Sequence, residues 1–240
     1  MSIRTVSVVI PARNEEDTIG EVLDRLNGAV ARLSRYRFET ILVVDRMDDP
    51  TVEIARQKGA RVMVNDSGRG KGNALYTGFR NAAGDVIVTF DSDGSHHPED
   101  IGRFLEEMEN GAGLVIGSRV LGGSDDHNVI RLFANGLFTM LFSILFGTTL
   151  MDTLNGYKAF AKEVVSGYRP RARGFDVEVE IVARALGKGL NVSEIASHED
   201  RRSGGRMKSH AIRDGFHILT ACLREGLKFR IRRLFRRRPA

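Results

Sequence analysis

The stretch VIVTFDSDGSHHPED, residues 86–100, decides how the chain is read. It opens with an uninterrupted apolar and β-branched run, which fits a strand covered on both faces, and it breaks at Asp91 and Asp93 with Gly94 between them and the next polar residues. Three more runs have the same character: SVVI at 7–10, ILVV at 41–44 and LVIG at 114–117. Helical stretches are expected over 15–33, 51–58, 73–82 and 98–110, with a further strand over 61–65. Repeated strand–helix units of this kind predict an α/β domain with a mainly parallel, doubly wound, Rossmann-like central sheet flanked by helices. Ligands of such sheets bind beyond the carboxyl ends of the strands. Polar residues gather at three of those ends, Pro11 to Glu16, Asp45 to Asp49 and Asp91 to His97, so one crevice is expected to receive them all.

Composition sets the outer bounds. At 240 residues, 42% hydrophobic and 28% charged, the chain reads as one ordinary globular domain. Cys222 is the single cysteine, which excludes an intrachain disulfide framework and suits a reducing, intracellular setting. The N-terminal apolar run is too short for a signal peptide of the usual layout. The formal charge of +5 is concentrated in residues 223–240, where Arg224, Lys228, Arg230, Arg232, Arg233, Arg236, Arg237 and Arg238 face a single acid, Glu225. The expected division is therefore a catalytic domain over 1–222 and a basic amphipathic tail over 223–240. Leu223, Leu227, Ile231, Leu234 and Phe235 fall near one face of that tail if it is helical, the pattern of a helix lying on an anionic membrane. Nucleic acid is a weaker partner for the same basic run, and a solvated terminus is the bland alternative. Residues 130–151 are the most apolar stretch, but Asn135, Gly136, Ser143, Gly147, Thr148 and Thr149 interrupt it, so a buried or interfacial helix is expected in preference to a spanning one.

Two carboxylates one residue apart at a strand end can face one hard cation, and magnesium or manganese favours such oxygen ligands together with substrate phosphates. Asp91 and Asp93 are the expected metal pair. Asp45, at the end of the second strand, is placed to meet a base or ribose. Asn14 and Glu15 suit either a nucleotide-binding loop or a helix cap. The run GRGKGNAL, residues 68–75, sets Lys71 among glycines ahead of a helix, a phosphate-facing arrangement that lacks the spacing of a P-loop. His96 and His97 have no companion cluster at zinc-ligand spacing, so zinc is not expected. The alternation in GFDVEVEI, residues 174–181, reads as an exposed face alternating with a buried one, with Asp152, Asp176, Glu178 and Glu180 as candidate bases should the acceptor be a hydroxyl.

Taken in order, SVVIPARNEEDTIG, VVDRMDDPT, GKGNAL, DSDGSHHPED, GSR at 117–119 and MDTLNGYKAF resemble the family 2 glycosyltransferases of the GT-A fold, and within them the dolichyl- and polyprenyl-phosphate sugar synthases. The resemblance implies an inverting transfer of one hexose from a UDP- or GDP-sugar donor to a lipid phosphate acceptor, with Mg2+ or Mn2+, by a protein held peripherally at the cytoplasmic face of the cell membrane. It implies that Pro11, Ala12, Asn14, Glu15, Asp45, Lys71 and Ser92 contact the nucleotide, and that Asp91 and Asp93 hold the metal. Ser95 stands where many relatives carry a third, metal-contacting glutamine. Arg119, Arg131 and Asn135 resemble the acceptor-phosphate site, NGYK at 155–158 stands where relatives read SGFR or SGFK, and Arg202 and Lys208 resemble the basic residues of a closing loop, with Arg201 and Arg206 as rivals. The processive relatives carry a QxxRW motif, which a chain with no tryptophan cannot hold. A soluble hydroxyl acceptor and a non-catalytic adaptor are the alternative readings.

Overall fold

The computed structural model of the protein describes residues 2–125, 129–204 and 211–236. Seven strands form one sheet in the order β3-β2-β1-β4-β6-β5-β7. They are β1 (Thr5–Ala12), β2 (Arg37–Val44), β3 (Arg61–Val64), β4 (Val86–Thr89), β5 (Leu114–Ser118), β6 (Lys158–Ala161) and β7 (Val192–Ala196). Pairings among β1, β2, β3 and β4 are parallel, as is β5 with β7, whereas β6 runs antiparallel between β4 and β5. The sheet is mainly parallel, as the continuous apolar runs predict.

Helices cover both faces. On one lie α1 (Ile19–Ala31), α2 (Thr51–Gln57) and α4 (Ile101–Glu109), which pack Leu23, Leu26, Phe104 and Leu105 against Val6, Val8 and Ile10 of β1. The other carries α3 (Lys71–Asn81), α6 (Val129–Phe146), α7 (Val177–Gly187) and α8 (Ala211–Arg236), whose Leu75, Phe142, Ile181 and Cys222 meet Val9, Ile87 and Phe160. Successive strand residues point to opposite faces, so β1 feeds both cores. A short helix α5 (Arg119–Gly122) follows β5.

Chain direction reverses its walk across the sheet at β1: β2 and β3 lie on one side, β4 on the other. Loops leaving adjacent strands in opposite directions part there and open a crevice. The loops after β1 and β4 are those that carry Asn14, Glu15, Asp91 and Asp93.

Two sequence readings are corrected. GFDVEVEI does not alternate an exposed face with a buried one. It enters α7, where Asp176, Glu178 and Glu180 are all buried, because each carboxylate has a partner in the interior. The first helix begins at Ile19 and not at 15: Glu15 gives its carbonyl to Thr18 N–H and Ile19 N–H, and neither Asn14 nor Glu15 occupies the cap position, which is Thr18. The stretch 130–151 supplies α6, and no helix among the described residues is long and apolar enough to cross a membrane. Helix α8 is continuous from Ala211 to Arg236 and so runs unbroken through position 222.

Close packing of α3 on β1 depends on Gly78, where a Cβ would stand 2.3 Å from Val9 Cγ1. Gly28, inside α1, has nothing within 4 Å of that position. Gly78→Ala is expected to lower stability by about 1–3 kcal/mol through overpacking, and Gly28→Ala to raise it by roughly 0.5–1 kcal/mol through helix propensity. Urea midpoints at unchanged slope would show the opposite signs.

Candidate active site

Strand β4 ends at Thr89, Phe90 N–H still donates to Val9 O, and the chain then leaves the sheet at Asp91. Every bend of the following loop is fastened. Asp91 N–H donates to His96 Nδ1 (3.2 Å), Thr18 Oγ1 to Ser92 O (2.9 Å), Ser92 Oγ to Pro11 O (3.2 Å) and Ser95 Oγ to Asp93 Oδ1 (2.7 Å). Asp200 N–H and Ser203 N–H close on Ser95 O and Asp93 O. Beneath the loop His96 stacks on Tyr157 at 4.7 Å, and Tyr157 Oη donates to His97 O (2.8 Å). Loop 91–97 is thus tied to the loop after β1, to β6 and to the segment 200–203.

Both acidic residues meet cations. Lys71 Nζ lies 2.8 Å from Asp91 Oδ1, and Arg202 Nη2 lies 2.7 Å from Asp93 Oδ2. Lys71 heads α3, whose start is pinned by glycines: Gly70, at φ 116°, would place a Cβ 2.1 Å from Arg173 O, and Gly72 N–H donates to that same carbonyl. Behind Lys71 stand two fully buried residues, Glu178, with Oε1 3.4 Å from its ammonium, and Lys158, which pairs with Glu178 Oε2 at 2.7 Å. Burial pushes the Asp91 carboxyl up, but the charge and hydrogen bond of Lys71 together with the charges of His96 and Arg202 outweigh it and hold the group well below the usual carboxylate range. Burial likewise works against the charged Lys71, and Asp91 with Glu178 more than offsets it, so its ammonium is held above the ordinary lysine value.

The remaining positions divide clearly. Pro11 and Ala12 end β1 beside Val43 and Val44. Asn14, in the left-handed region at φ 49°, donates its N–H to Asp49 Oδ2, and Glu15 N–H donates to Thr51 Oγ1, so the loops after β1 and β2 are joined. Asp45 sits at that junction, 3.7 Å from Arg13 Nε, and accepts from Asn65 Nδ2 (3.3 Å). Pro11, Asn14, Asp45, Asp91, Ser92, Asp93 and Ser95 therefore lie at or just beyond the carboxyl ends of β1, β2 and β4, with Lys71 and Arg202 paired to the two acids there. Arg119 lies at the end of β5 in a bidentate pair with Asp152 (2.7 and 2.9 Å), with Glu199 3.6 Å from Nη1. Within NGYK, Asn155 donates to Gly117 O, and Tyr157 and Lys158 are fully buried, so these side chains support the site from below. The side chain of Arg131 and all of Lys208 and Arg206 lie outside the described residues.

Sequence reasoning did not find the partners of these groups. Glu178 was weighed only as a base, and Lys158 and Asp152 carry no local signal of their pairing. It also missed that His198 joins Asp125 and Asp200 with three ligand atoms within 4.8 Å, beside His97, whose Nε2 is 3.0 Å from Asp200. Histidines brought together by folding leave no spacing in the sequence.

Comparisons with known proteins identify the family and the fold. The chain matches the family described as Glycosyl transferase family 2 over residues 7–171. It is 30% identical to a dolichol-phosphate mannosyltransferase of Pyrococcus furiosus over 85% of its length, while spanning 58% of that protein. A dolichyl-phosphate hexose transferase of Haloferax volcanii is 29% identical, with 93% of this chain and 96% of that one covered. Among solved structures, glucosyl-3-phosphoglycerate synthase of Mycobacterium tuberculosis, in complex with Mn2+, UDP and phosphoglyceric acid, superposes with a TM-score of 0.73 at 25% identity, covering 93% of this chain and 78% of that one.

A carboxyl held below its unfolded value of about 3.9 contributes stability that is present above that pH and is lost as pH falls through the folded value. The stability difference between the protein and Lys71→Met is therefore expected to be largest above about pH 4 and to narrow as pH drops below it. Urea titrations at pH 5 and pH 3 would test this, and a difference that does not narrow would remove the Lys71–Asp91 pair as its source.

Proposed function

We propose that this chain, which belongs to glycosyl transferase family 2 and has the GT-A fold, transfers a single hexose from a UDP- or GDP-sugar to polyprenyl or dolichyl phosphate. The observation that carries the reading is the pair Asp91 and Asp93 at the end of β4, in a crevice whose other walls are the loops after β1 and β2. The donor set fits Mg2+ or Mn2+: two hard carboxylate groups, one residue apart, toward which the protein's own Lys71 and Arg202 are already drawn. Such an ion supplies charge neutralisation for the diphosphate leaving group.

The nucleoside is assigned to Pro11, Ala12, Asn14, Glu15 and Asp45, with Ser92 fixing the loop against Pro11 and Ser95 orienting Asp93. Lys71 and Arg202 each have a side chain long enough to serve either an aspartate or a phosphate oxygen. The acceptor needs cations more than a base, because a phosphate monoester, with a second pKa of about 6, is already anionic at neutral pH. Its oxygen attacks the anomeric carbon as the bond to the nucleoside diphosphate breaks, which inverts that carbon. Arg119 reaches an acceptor phosphate by exchanging Glu199 while Asp152 keeps the guanidinium aimed. Arg131 and Lys208 are assigned to the same anion on the resemblance alone. The names of the Pyrococcus and Haloferax relatives favour the lipid acceptor. The phosphoglyceric acid bound by the solved relative supports a second reading, a small phosphorylated acceptor in the same place.

The surface supports the lipid reading. Phe133, Leu137 and Ile144 of α6 and Leu227, Leu234 and Phe235 of α8 are exposed, Phe133 and Leu234 to 75% and 70%. The two helices pack together, with Arg230 Nε donating to Leu145 O (2.7 Å). Arg232 and Arg233 flank the apolar side chains, as befits an anionic membrane. The same features support our reading of a peripheral protein at the inner face of the cell membrane. Because Phe229 and Arg230 help hold α6, the basic segment is not a detachable appendage.

Asp91→Asn and Asp93→Asn are each expected to cut transfer below about a tenth of the unaltered rate, a loss of at least ~1.4 kcal/mol of transition-state stabilisation. Melting curves should show both variants folded, and residual activity above that level with either would remove the pair from the chemistry. The triple variant Phe133→Ser/Leu234→Ser/Phe235→Ser should lose sedimentation with anionic vesicles yet retain transfer to a short, soluble polyprenyl phosphate analogue. Sedimentation equal to that of the unaltered protein would favour the small phosphorylated acceptor.

A further inference from the structure

Four charged side chains form a line from the core to the crevice: Lys158 on β6, Glu178 on α7, Lys71 at the head of α3 and Asp91 after β4. The inner pair is sealed, since Lys158 and Glu178 are both fully buried and joined at 2.7 Å. The outer pair, Lys71 and Asp91, opens on the crevice at 2.8 Å. Between the pairs lies an asymmetry. Glu178 Oε2 is taken by Lys158, whereas Oε1 is buried, accepts no hydrogen bond, and points to the Lys71 ammonium 3.4 Å away. A buried carboxylate oxygen without a hydrogen-bonded donor is costly, and it persists where something else makes use of it.

Gly156 keeps the intervening space open. A Cβ there would stand 2.6 Å from Lys71 Nζ, 3.2 Å from Asp91 Oδ2 and 3.4 Å from Glu178 Oε1, so the ammonium can approach either carboxylate with no side chain in its way. Lys71 and a divalent cation both favour Asp91, and two cations on one carboxylate repel each other. A lysine with nowhere else to go would oppose the metal. One with a second acid within reach would not.

We propose that Glu178 is the alternative partner of Lys71: it receives the ammonium when a divalent cation takes Asp91, and Lys158 holds Glu178 in place for that exchange. Glu178 and Lys158 are then positioning residues that set metal affinity from beneath the site, and the exchange leaves the ammonium beside the crevice where a diphosphate binds. The inference rests on the metal reading of Asp91 and Asp93.

The test is Mn2+ binding, followed by the electron paramagnetic resonance signal of free Mn2+, in the presence of UDP or GDP, whichever raises the melting temperature. Lys158→Met/Glu178→Leu removes the inner pair together, which leaves no orphaned buried charge and no change in net charge. It is expected to weaken Mn2+ binding about tenfold, within the usual range for coupled neighbours. Lys71→Met removes the competitor and, at a nucleotide concentration that saturates each variant so that its lost phosphate contact does not enter, should bind Mn2+ at least as tightly as the unaltered protein. In the Lys71→Met background the effect of the inner-pair change should vanish, which a merely structural role would not produce. Should the double variant fail to fold, Glu178→Gln keeps the shape, and the part of its effect that depends on Lys71 gives the same answer. Equal Mn2+ affinity with and without the inner pair would overturn the exchange and leave the metal reading standing. No Mn2+ binding by the unaltered protein would overturn both.

Discussion

Two carboxylates at the end of a buried strand cannot be left to themselves. Burial disfavours the charged form of Asp91, so it depends on cations nearby to remain an anion, and the more deeply buried Asp93 likewise has one at contact distance, Arg202. Much of the surrounding architecture follows from that demand. Lys71 arrives only because glycines at 70 and 72 let α3 begin against the backbone of 172–174. Arg202 arrives because Asp200 and Ser203 fasten their segment to loop 91–97. Each attachment joins a residue near the middle of the chain to one far from it in sequence.

The antiparallel strand β6 is the second half of the solution. A wholly parallel sheet would place the start of every neighbour of β4 at the far edge, away from the crevice. Reversing β6 brings Gly156, Tyr157 and Lys158, at its beginning, level with the end of β4, where Thr89 Oγ1 donates to Gly156 O (2.6 Å). The same reversal sets Tyr157 under His96 and Lys158 against Glu178. The cost of this arrangement is specific. Removing one member of a buried ion pair commonly costs about 3–5 kcal/mol, whereas replacing both with apolar residues is often near neutral. The pair is therefore poorly explained as a device for stability alone.

The parts legible in the sequence are those with local pattern. Four continuous apolar runs identified the core strands, and the polar residues at three of their ends marked the crevice before any contact was known. Asp91, Asp93, Lys71 and Arg202 were singled out, and the structure draws them together in two contacts. What could not be read has a common cause. A carboxylate paired in the core is spelled the same way as one in water, so Glu178 and Glu180 read as candidate bases or as part of an exposed face, and KAFA at 158–161 is too short to declare its direction. Arg119 illustrates the same limit: its type suited an anion, but Asp152 already grips it, and nothing near either residue announces the pair.

A lipid phosphate makes a geometric demand that a small phosphorylated acceptor does not. Its phosphate must reach the crevice while its hydrocarbon stays out of water, so the apolar surface has to begin beside the site. Strand β5 ends at Ser118 on the carboxyl edge of the sheet, and α5 carries Arg119 immediately after it. Helix α6 buries Phe142 and Phe146 beneath it and exposes Phe133, Leu137 and Ile144 on its other side. A surface helix with apolar residues on both sides satisfies only one of them within the monomer. The second side continues onto α8 through Leu227 and Leu234, with arginines at its margin. An apolar strip that ends in a basic rim is what the proposed lipid phosphate acceptor asks for, a surface on which its hydrocarbon leaves water while its anionic head enters the site.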